Sequence, residues 1–390
     1  MKYISDSIGN RSSRTNLQTI QQLTMSSNHV INFGAGPAKL PRQVLEQARD
    51  EILNCGCGLS VMELSHRSAE YAVINNRVIE SVRQLLNVPS NYKILLMQGG
   101  GTGAFASVPL NLMHRGEKAD FILTGEWSTK AAKETSKYMK VNYVFPKPEK
   151  FEKIPDQSTW KLDPEAAFVY YCDNETVNGI EFPFIPETNG VPLVCDMSSN
   201  IMTRKFNVSK FGIVFACAQK NLGPAGITVI IIRDDLIGHP SPICPMVFNY
   251  TLFAHDDSLV NTPPTFIVYM LSLVLKWIKE QGGVGSMEEQ SKTKSQLLYK
   301  TIEDSKGFYS CPIDSAYRSR VTVPFRLSTG PEADKQFLKE SQDIGFLQLK
   351  GHRLVGGIRV AMYNAMTLDE VKVLTDFMIK FQEQHPQFQP

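Results

Sequence analysis

After residue 40, short apolar runs alternate along the chain with longer stretches in which apolar residues recur at helical spacing. The short runs are rich in β-branched and aromatic residues, which is typical of buried strands. They are Tyr92–Gln98, Phe121–Thr124, Phe168–Cys172, Val191–Cys195, Gly212–Ala218 and Ile227–Ile232. Strands that alternate with helices predict an α/β domain with a mainly parallel central sheet.

The helical stretches are bounded by prolines and glycines. Leu40–Cys55 has a proline at its second position and is followed by glycines, and Tyr71–Leu86 predicts a second helix. A third helix is predicted from about Ala104. Thr262 and Pro263 open a long apolar stretch that stops at two glycines, so we predict Thr262 as the N-cap and Pro263 as the first helical residue.

The pattern changes beyond about residue 288, where a helix precedes two strands and a final helix. These elements are Val321–Leu327, Ile358–Ala361 and the helix Leu368–Gln382. We therefore predict a large domain over residues 38–288 and a smaller α+β domain formed by residues 29–37 and 289–390. Residues 1–28 form a separate N-terminal extension, which we expect to be disordered.

The composition excludes several classes of protein. A formal net charge of +2 indicates no nucleic-acid partner, and the longest apolar segment, Phe266–Leu275, is too short to cross a membrane. The seven cysteines are scattered, which indicates a reducing compartment, and nothing predicts a metal site. We therefore expect a cytoplasmic protein. Residues 1–28 carry three basic residues and one acid, so a mitochondrial presequence is the alternative.

Lys220 lies between the last two apolar runs, Gly212–Ala218 and Ile227–Ile232. Burying a lysine head is costly unless the protein uses it, and burial lowers the pKa of the amine. Such an amine is a nucleophile suited to Schiff-base chemistry. A solvated turn lysine is the alternative that this stretch leaves open.

A lysine that binds pyridoxal 5′-phosphate requires an acid for the pyridine nitrogen, an anion site and a flat face for stacking. Asp196 directly follows the run Val191–Cys195 and is the candidate acid. Trp127 follows another strand and offers the flat face. These side chains converge if they lie at one edge of the sheet, where open α/β sheets bind ligands. The alternatives are a turn-capping aspartate and a core tryptophan.

The glycine-rich run 99–103 joins a predicted strand to a predicted helix. Glycines let backbone N–H groups approach a ligand, and a helix N-terminus favours an anion. The run is a poor match to a dinucleotide fingerprint, so a dehydrogenase is a weaker alternative, and a turn without a ligand also stays open. Thr176 follows the strand Phe168–Cys172 and places a hydroxyl at the same edge, unless it belongs to a simple polar turn.

Three arginines stand close to histidines in the sequence, and guanidinium groups bind carboxylates and phosphates bidentately. A substrate with two anionic groups would account for them, although each arginine by itself is compatible with a surface ion pair. The residues are His66, Arg67, His352, Arg353 and Arg359.

Taken together, these stretches resemble the phosphoserine aminotransferases, fold-type I pyridoxal-phosphate enzymes of the class V aminotransferase family. The matching segments follow the family's order from about residue 30 to the C-terminus. They are NFGAGPAKLP (32–41), LSVMELSHRS (59–68), LLMQGGGTG (95–103), VYYCDNETVNGIEF (169–182), CDMSSN (195–200), AQKNLGPAG (218–226), NTPPTF (261–266) and KGHRLVGGIR (350–359). Ala104, Val260 and Leu354 depart from the family's pattern, and residues 1–28 match nothing in it.

The resemblance implies a role for each candidate in catalysis. Lys220 would bind the cofactor covalently and later carry a proton between the substrate Cα and the cofactor. Asp196 would pair with the pyridine nitrogen and Trp127 would stack on the ring. Thr176 would contact the phenolic oxygen.

The resemblance also implies how phosphate and substrate are bound in a homodimer. The cofactor phosphate would be held by Gly101, Thr102 and Gln219, and by Asn261 and Thr262 of the neighbouring subunit. The substrate's phosphate and carboxylate would be bound by His66, Arg67, His352, Arg353 and Arg359.

The expected reaction is transfer of an amino group from L-glutamate to 3-phosphohydroxypyruvate, which yields O-phospho-L-serine and 2-oxoglutarate. The expected partners are these small molecules and a second copy of the chain, with no nucleic acid and no membrane. The alternatives are another enzyme of this fold, such as a glyoxylate transaminase or a cysteine desulfurase, and a non-catalytic binding protein.

Overall fold

The computed structural model describes residues 30–390. Over this range, the α-helices are α1 Arg42–Glu51, α2 Ala69–Leu86, α3 Gly100–Leu112, α4 Glu126–Thr135, α5 Tyr250–His255, α6 Thr265–Glu280, α7 Gly283–Asp304, α8 Pro331–Asp343 and α9 Leu368–Gln384. The strands are β1 Ile31–Asn32, β2 Tyr92–Met97, β3 Lys118–Phe121, β4 Lys140–Tyr143, β5 Val169–Cys172, β6 Asn174–Glu175, β7 Ile180–Glu181, β8 Leu193–Asp196, β9 Ile213–Cys217, β10 Thr228–Arg233, β11 Tyr309–Ser310, β12 Thr322–Leu327, β13 Phe346–Leu347 and β14 Ile358–Ala361.

A seven-stranded sheet in the order β2-β10-β9-β8-β5-β3-β4 forms the centre of the molecule. The pairs β9·β8, β8·β5, β5·β3 and β3·β4 are parallel, whereas β10 runs antiparallel to both of its neighbours. The prediction of a mainly parallel sheet is therefore confirmed. Because β10 reverses direction, the carboxyl ends of β2, β3, β8 and β9 lie along the same edge.

The sheet is buried on both faces, which is why its strands are continuous apolar runs rather than alternating ones. In β2, Ile94 and Leu96 contribute to one core, while Leu95 and Met97 contribute to the other. Both faces are thus covered along the inner strands, whereas the edge strand β4 is partly exposed, and the strand ends lead into the loops beyond them. The candidate residues of the sequence analysis lie at these ends.

The structure confirms most of the predicted elements, but two of them begin at other residues than predicted. The strand expected at Phe121–Thr124 begins at Lys118, because β4 pairs with residues 118–121 and extends the sheet at that end. The helix expected from Ala104 begins at Gly100, so the glycines form its first turn. Gly99 is the N-cap of this helix, with φ of 103°.

The predicted cap at Thr262 is wrong. Helix α6 begins at Thr265, with Pro264 as N-cap (φ −72°, ψ 85°). A proline disfavours the helical conformation of the residue before it, so Pro264 prevents Pro263 from being the first helical residue. The helix can begin only after the second proline.

A further apolar core contains Ile31 and Phe33 from the start of the described chain and residues between 298 and 381. Its elements are the sheet β11-β12-β14, the pair β1·β13 and the helices α7 to α9. Helix α7 contributes Met287 to a core of the central sheet and Leu298 to this third core. The domain division at residue 288 falls within α7 and stays a prediction.

Residues 30–390 contain no helix that is both long and apolar enough to cross a membrane. The predicted extension over residues 1–28 lies outside the described residues.

Candidate active site

A cavity of about 310 Å³ opens at the edge of the central sheet where β2, β3, β8 and β9 end. Its lining combines glycines, an aromatic face, a carboxylate and an amine. The lining residues are Ala35, Gly36, Gly99, Gly100, Gly101, Thr102, Phe105, Trp127, Asp196, Ser198, Cys217, Gln219 and Lys220. Six residues predicted from the sequence therefore lie in one cavity, although they are spread over 120 positions of the chain.

Lys220 lies in the loop between β9 and β10, which pair as antiparallel neighbours. The loop is closed by hydrogen bonds from Ala218 N to Ile227 O (2.9 Å) and from Gly223 N to Ala218 O (2.8 Å). These bonds fix the turn that presents the amine to the cavity. The Lys220 Nζ lies 5.5 Å from the centroid of the Trp127 ring.

The sequence analysis expected a lowered pKa for Lys220, and this expectation is wrong. Burial does act against the ammonium form, but Tyr363 and Asp196 outweigh it, so the pKa of Lys220 lies above its usual value. The phenol of Tyr363 donates to the carbonyl of Ala35, which lines the cavity (2.8 Å). With these neighbours Lys220 is an ammonium at neutral pH, and a nucleophilic amine requires that a proton be removed.

Asp196 ends β8 and is 6% exposed. Burial raises the pKa of its carboxyl, while Lys220 and the hydrogen bond from the backbone N–H of Ser198 to Oδ1 (2.8 Å) oppose this rise. The hydroxyl of Ser198 in turn accepts from the backbone N–H of Cys217 on the adjacent strand (3.1 Å). Asp196 is therefore held firmly at the cavity wall.

The glycine-rich run forms the other end of the cavity. Gly99 and Gly100 both have positive φ values, 103° and 60°, which glycine adopts without strain. A Cβ on Gly103 would lie 3.2 Å from the Phe248 ring, so this glycine also permits close packing. The first turn of α3 therefore points unpaired backbone N–H groups at the cavity, an arrangement suited to an anion.

Trp127 is held at two points by consecutive residues. Its indole N–H donates to Thr176 Oγ1 (2.8 Å), and its backbone N–H donates to Glu175 Oε2 (2.8 Å). Glu175 is fully buried, and burial raises its pKa to about 7 against the hydrogen bonds it accepts from Ser128 and Trp127. The sequence predicted Thr176 as a site residue and predicted no role for Glu175.

Two of the predicted substrate residues lie near this segment. The Arg359 guanidinium donates to the carbonyl of Thr176 (3.3 Å), and burial lowers its pKa. Burial and the positive charges of Arg359 and Lys130 lower the pKa of His352. His352 is therefore neutral at pH 7, and the positive charge beside Thr176 belongs to Arg359.

The other predicted residues do not line the cavity of this chain. Arg67, Thr262 and Arg353 are exposed and His66 is half-buried. Asn261 donates to Oε1 of Gln98 (2.7 Å), which directly precedes the glycine-rich run. A role for these side chains in a site formed with a second copy stays a prediction.

The residues present meet the requirements of pyridoxal phosphate. The cavity has an amine, a buried carboxylate held by Ser198, an indole face fixed at two points and a helix N-terminus suited to a phosphate. The donor set therefore fits the cofactor that the sequence led us to expect.

Comparisons with known proteins agree with this site. A sequence profile of the family aminotransferase class-V matches residues 30–374. A phosphoserine aminotransferase of Drosophila melanogaster is 56% identical over 357 residues, which cover 90% of this chain and 98% of the relative.

Solved structures are similar over the same range. A phosphoserine aminotransferase from Bacillus circulans subsp. alkalophilus has a TM-score of 0.90 at 39% identity and covers 92% of this chain and 100% of its own. A PLP-bound phosphoserine aminotransferase from Trichomonas vaginalis has a TM-score of 0.87 at 38% identity, with 90% and 100% covered. These similarities confirm the fold-type I class expected from the sequence. The chain belongs to the class-V aminotransferase family.

Proposed function

We propose that this protein is a pyridoxal-phosphate enzyme that transfers the amino group of L-glutamate to 3-phosphohydroxypyruvate. The products are O-phospho-L-serine and 2-oxoglutarate, and the reaction belongs to serine biosynthesis. The observation that carries the proposal is the convergence of Lys220, Asp196 and Trp127 on one cavity. The names of relatives that align with nearly the whole length of residues 30–390 support the choice of substrates.

Pyridoxal phosphate supplies an electron sink for the bond that breaks at the substrate Cα. Asp196 would pair with the pyridine nitrogen and keep it protonated, because a buried carboxylate is stabilised by an adjacent N–H cation. Trp127 provides a face for the ring. Gly101, Thr102 and Gln219 hold the phosphate together with the N-terminus of α3.

Thr176 has a hydroxyl that can serve two partners at once. Its oxygen accepts the indole N–H of Trp127, which leaves its own O–H to donate elsewhere. We assign that proton to the phenolic oxygen of the cofactor. The tryptophan therefore also sets the direction of the threonine O–H.

Lys220 has two tasks, to bind the cofactor covalently and to carry a proton to and from the substrate Cα. Because its pKa is raised, the ammonium must first give up a proton. Only the neutral amine has the free electron pair that is needed to bind the cofactor or to take a proton from the substrate Cα.

Arg359 binds the substrate carboxylate. It lies beside the Trp127 and Thr176 pair, is half-buried and has a guanidinium fork that can meet a planar anion. His352 and Arg353 help to bind the second anionic group of the substrate. This group is the side-chain carboxylate of glutamate in one half-reaction and the phosphate in the other. One site can serve both donors because both are compact and carry two anionic groups.

We further propose that the enzyme is a homodimer whose active sites are shared. In this arrangement His66, Arg67, Asn261 and Thr262 reach the cavity of the neighbouring subunit. The exposure of Arg67 and Thr262 in the single chain supports the proposal, as do exposed apolar side chains close to His66 in the sequence, including Leu59 (50% exposed) and Met62 (57%). Apolar surface of this kind is typical of an interface.

We also propose that the protein is located in the cytoplasm. All seven cysteines are free thiols, three of them buried in the central sheet, as expected for a reducing compartment.

A panel of amino donors and acceptors tests the function. We expect rapid turnover of O-phospho-L-serine with 2-oxoglutarate. Little turnover is expected of alanine with glyoxylate, and no sulfide release from cysteine. Preferred use of glyoxylate or release of sulfide would replace the proposed reaction with that of a glyoxylate transaminase or a cysteine desulfurase. A purified protein that binds no pyridoxal phosphate would contradict enzymatic function altogether.

A further inference from the structure

Glu175 is a buried acid that none of the roles above uses. It is 0% exposed, and no lysine or arginine within residues 30–390 pairs with it. Its carboxylate instead accepts three hydrogen bonds from the first turn of α4. Oε2 accepts from the backbone N–H of Trp127 (2.8 Å), and Oε1 accepts from the backbone N–H (2.8 Å) and the hydroxyl (2.7 Å) of Ser128.

Gly125 leaves room for the Glu175 side chain at the N-terminus of α4. A Cβ on Gly125 would lie 2.4 Å from Glu175 Cδ and 2.6 Å from Cγ. Gly125 has an extended φ of 177°, which any residue adopts, so glycine is required here for space and not for conformation. The N-terminal N–H groups and the helix dipole offset part of the cost of burying the ionised carboxyl, whose pKa burial raises to about 7.

Residues 175 and 176 bind both the backbone and the indole ring of Trp127. Glu175 binds its backbone, and Thr176 binds its indole N–H (2.8 Å). The carbonyl of Thr176 also accepts from Arg359 (3.3 Å). Residues 175 and 176 therefore join the aromatic face of the cavity to the guanidinium group beside it.

We propose that Glu175 is a positioning residue for amino transfer, which fixes the Trp127 ring at the distance and angle at which it stacks on the cofactor. This inference rests on the proposed function, since it assigns Trp127 to the cofactor face. Glu175 touches neither substrate nor cofactor and acts through Trp127. A glutamine in its place can accept hydrogen bonds only at its amide oxygen, so the first turn of α4 loses part of its hydrogen bonding to residue 175.

The test uses the full-length E175Q variant, and Glu181→Gln serves as the matched control. Glu181 is also buried, on the paired strand β7, but its partners are Arg320 and Arg204, which lie away from the cavity. The Trp160→Phe and Trp277→Phe changes are introduced into both proteins, because they leave Trp127 as the only tryptophan of the chain. Its fluorescence anisotropy then reports the mobility of this ring alone.

We expect E175Q to increase the nanosecond mobility of Trp127 and to weaken pyridoxal-phosphate binding about tenfold, the loss of one charged hydrogen bond. E181Q should lower the melting temperature and leave both properties unchanged.

If E175Q does not fold, Glu175→Asp keeps the charge but shortens the reach, and the same two changes are expected. Unchanged anisotropy and cofactor affinity in a folded Glu175 variant would overturn the proposal. If the wild-type protein binds pyridoxal phosphate but transfers a different amino group, the proposed substrates are wrong and the role of Glu175 is still testable.

Discussion

The indole N–H of Trp127 donates a hydrogen bond to the hydroxyl of Thr176, with 2.8 Å between Nε1 and Oγ1. This bond joins the aromatic face of the cavity to the hydroxyl that we assign to the cofactor's phenolic oxygen. Neither side chain can be lost without moving the other, because each fixes the orientation of its partner.

Thr176→Val removes the hydroxyl but keeps the shape of the side chain. We expect kcat to fall about tenfold, which corresponds to roughly 1.4 kcal/mol, because the indole N–H loses its acceptor and the phenolic oxygen loses a donor. Steady-state kinetics with O-phospho-L-serine measure the effect. Thr124→Val is the control, since the buried hydroxyl of Thr124 has no hydrogen-bond partner within residues 30–390. Equal effects of the two changes would argue against the coupling.

Arg359→Lys is expected to raise KM for glutamate at least about tenfold, because an ammonium cannot bind a carboxylate with two parallel hydrogen bonds. Cofactor affinity should change less than about twofold, since Arg359 contacts only the backbone of Thr176. Arg326→Lys is the control. Arg326 is exposed and lies on the neighbouring strand β12, two residues after Pro324, which pairs with Arg359 in the sheet. A normal glutamate KM in Arg359→Lys would remove Arg359 from the substrate site.

A shared active site predicts that two inactive variants can complement each other. Lys220→Ala and Arg67→Ala should each be inactive as homodimers. In a mixed dimer, one of the two sites combines an intact Lys220 with an intact Arg67 from the other subunit. Random exchange of subunits therefore restores about a quarter of the wild-type activity. If mixing after unfolding and refolding restores none, Arg67 acts within its own chain or not at all.

The stability of the protein should depend on pH through Glu175. Burial raises the pKa of this carboxyl from 4.5 to about 7. Between these values the folded chain binds a proton that the unfolded chain has lost, so the contribution of Glu175 to the free energy of unfolding falls as pH rises from 4.5 to 7. The difference between wild type and E175Q should be larger at pH 5.5 than at pH 8, by roughly 1–2 kcal/mol. Denaturant unfolding at one protein concentration measures it. A constant difference would show that Glu175 is ionised throughout this range.

Lys294 stabilises the segment that carries Tyr363. Its amino group is buried in α7, where burial lowers its pKa to about 7, and donates to the carbonyls of Met362 (3.3 Å), Tyr363 (2.9 Å) and Met366 (2.8 Å). Lys294→Met leaves these carbonyls without a donor and should lower the free energy of unfolding by about 2–4 kcal/mol. Lys292→Met, in the same helix but exposed, should lower it by less than about 1 kcal/mol. Similar losses in both variants would contradict this role of Lys294.

The sequence predicted the sheet and the main cavity residues because both depend on local pattern. Lys220 and Asp196 each follow a buried apolar run, and parallel strands bring such positions to one edge. The family resemblance then distinguished a catalytic lysine from a solvated one, which the pattern alone left open.

Other features could not be predicted because they arise from contacts between distant parts of the chain. Glu175 belongs to a short polar turn, and only the approach of α4 shows that its carboxylate is buried. The raised pKa of Lys220 depends on Tyr363 and Asp196, which approach it from other parts of the chain. The wrong cap at Thr262 had a local cause, since the effect of a second proline on the first was overlooked.

The most direct test of the account is to identify the residue that binds the cofactor. Purified protein loaded with pyridoxal phosphate is reduced with borohydride, digested and mapped by mass spectrometry. We predict that the pyridoxyl group is found on the peptide containing Lys220 and that Lys220→Ala yields no labelled peptide and no turnover. A label on a different lysine, or full activity in Lys220→Ala, would contradict the account.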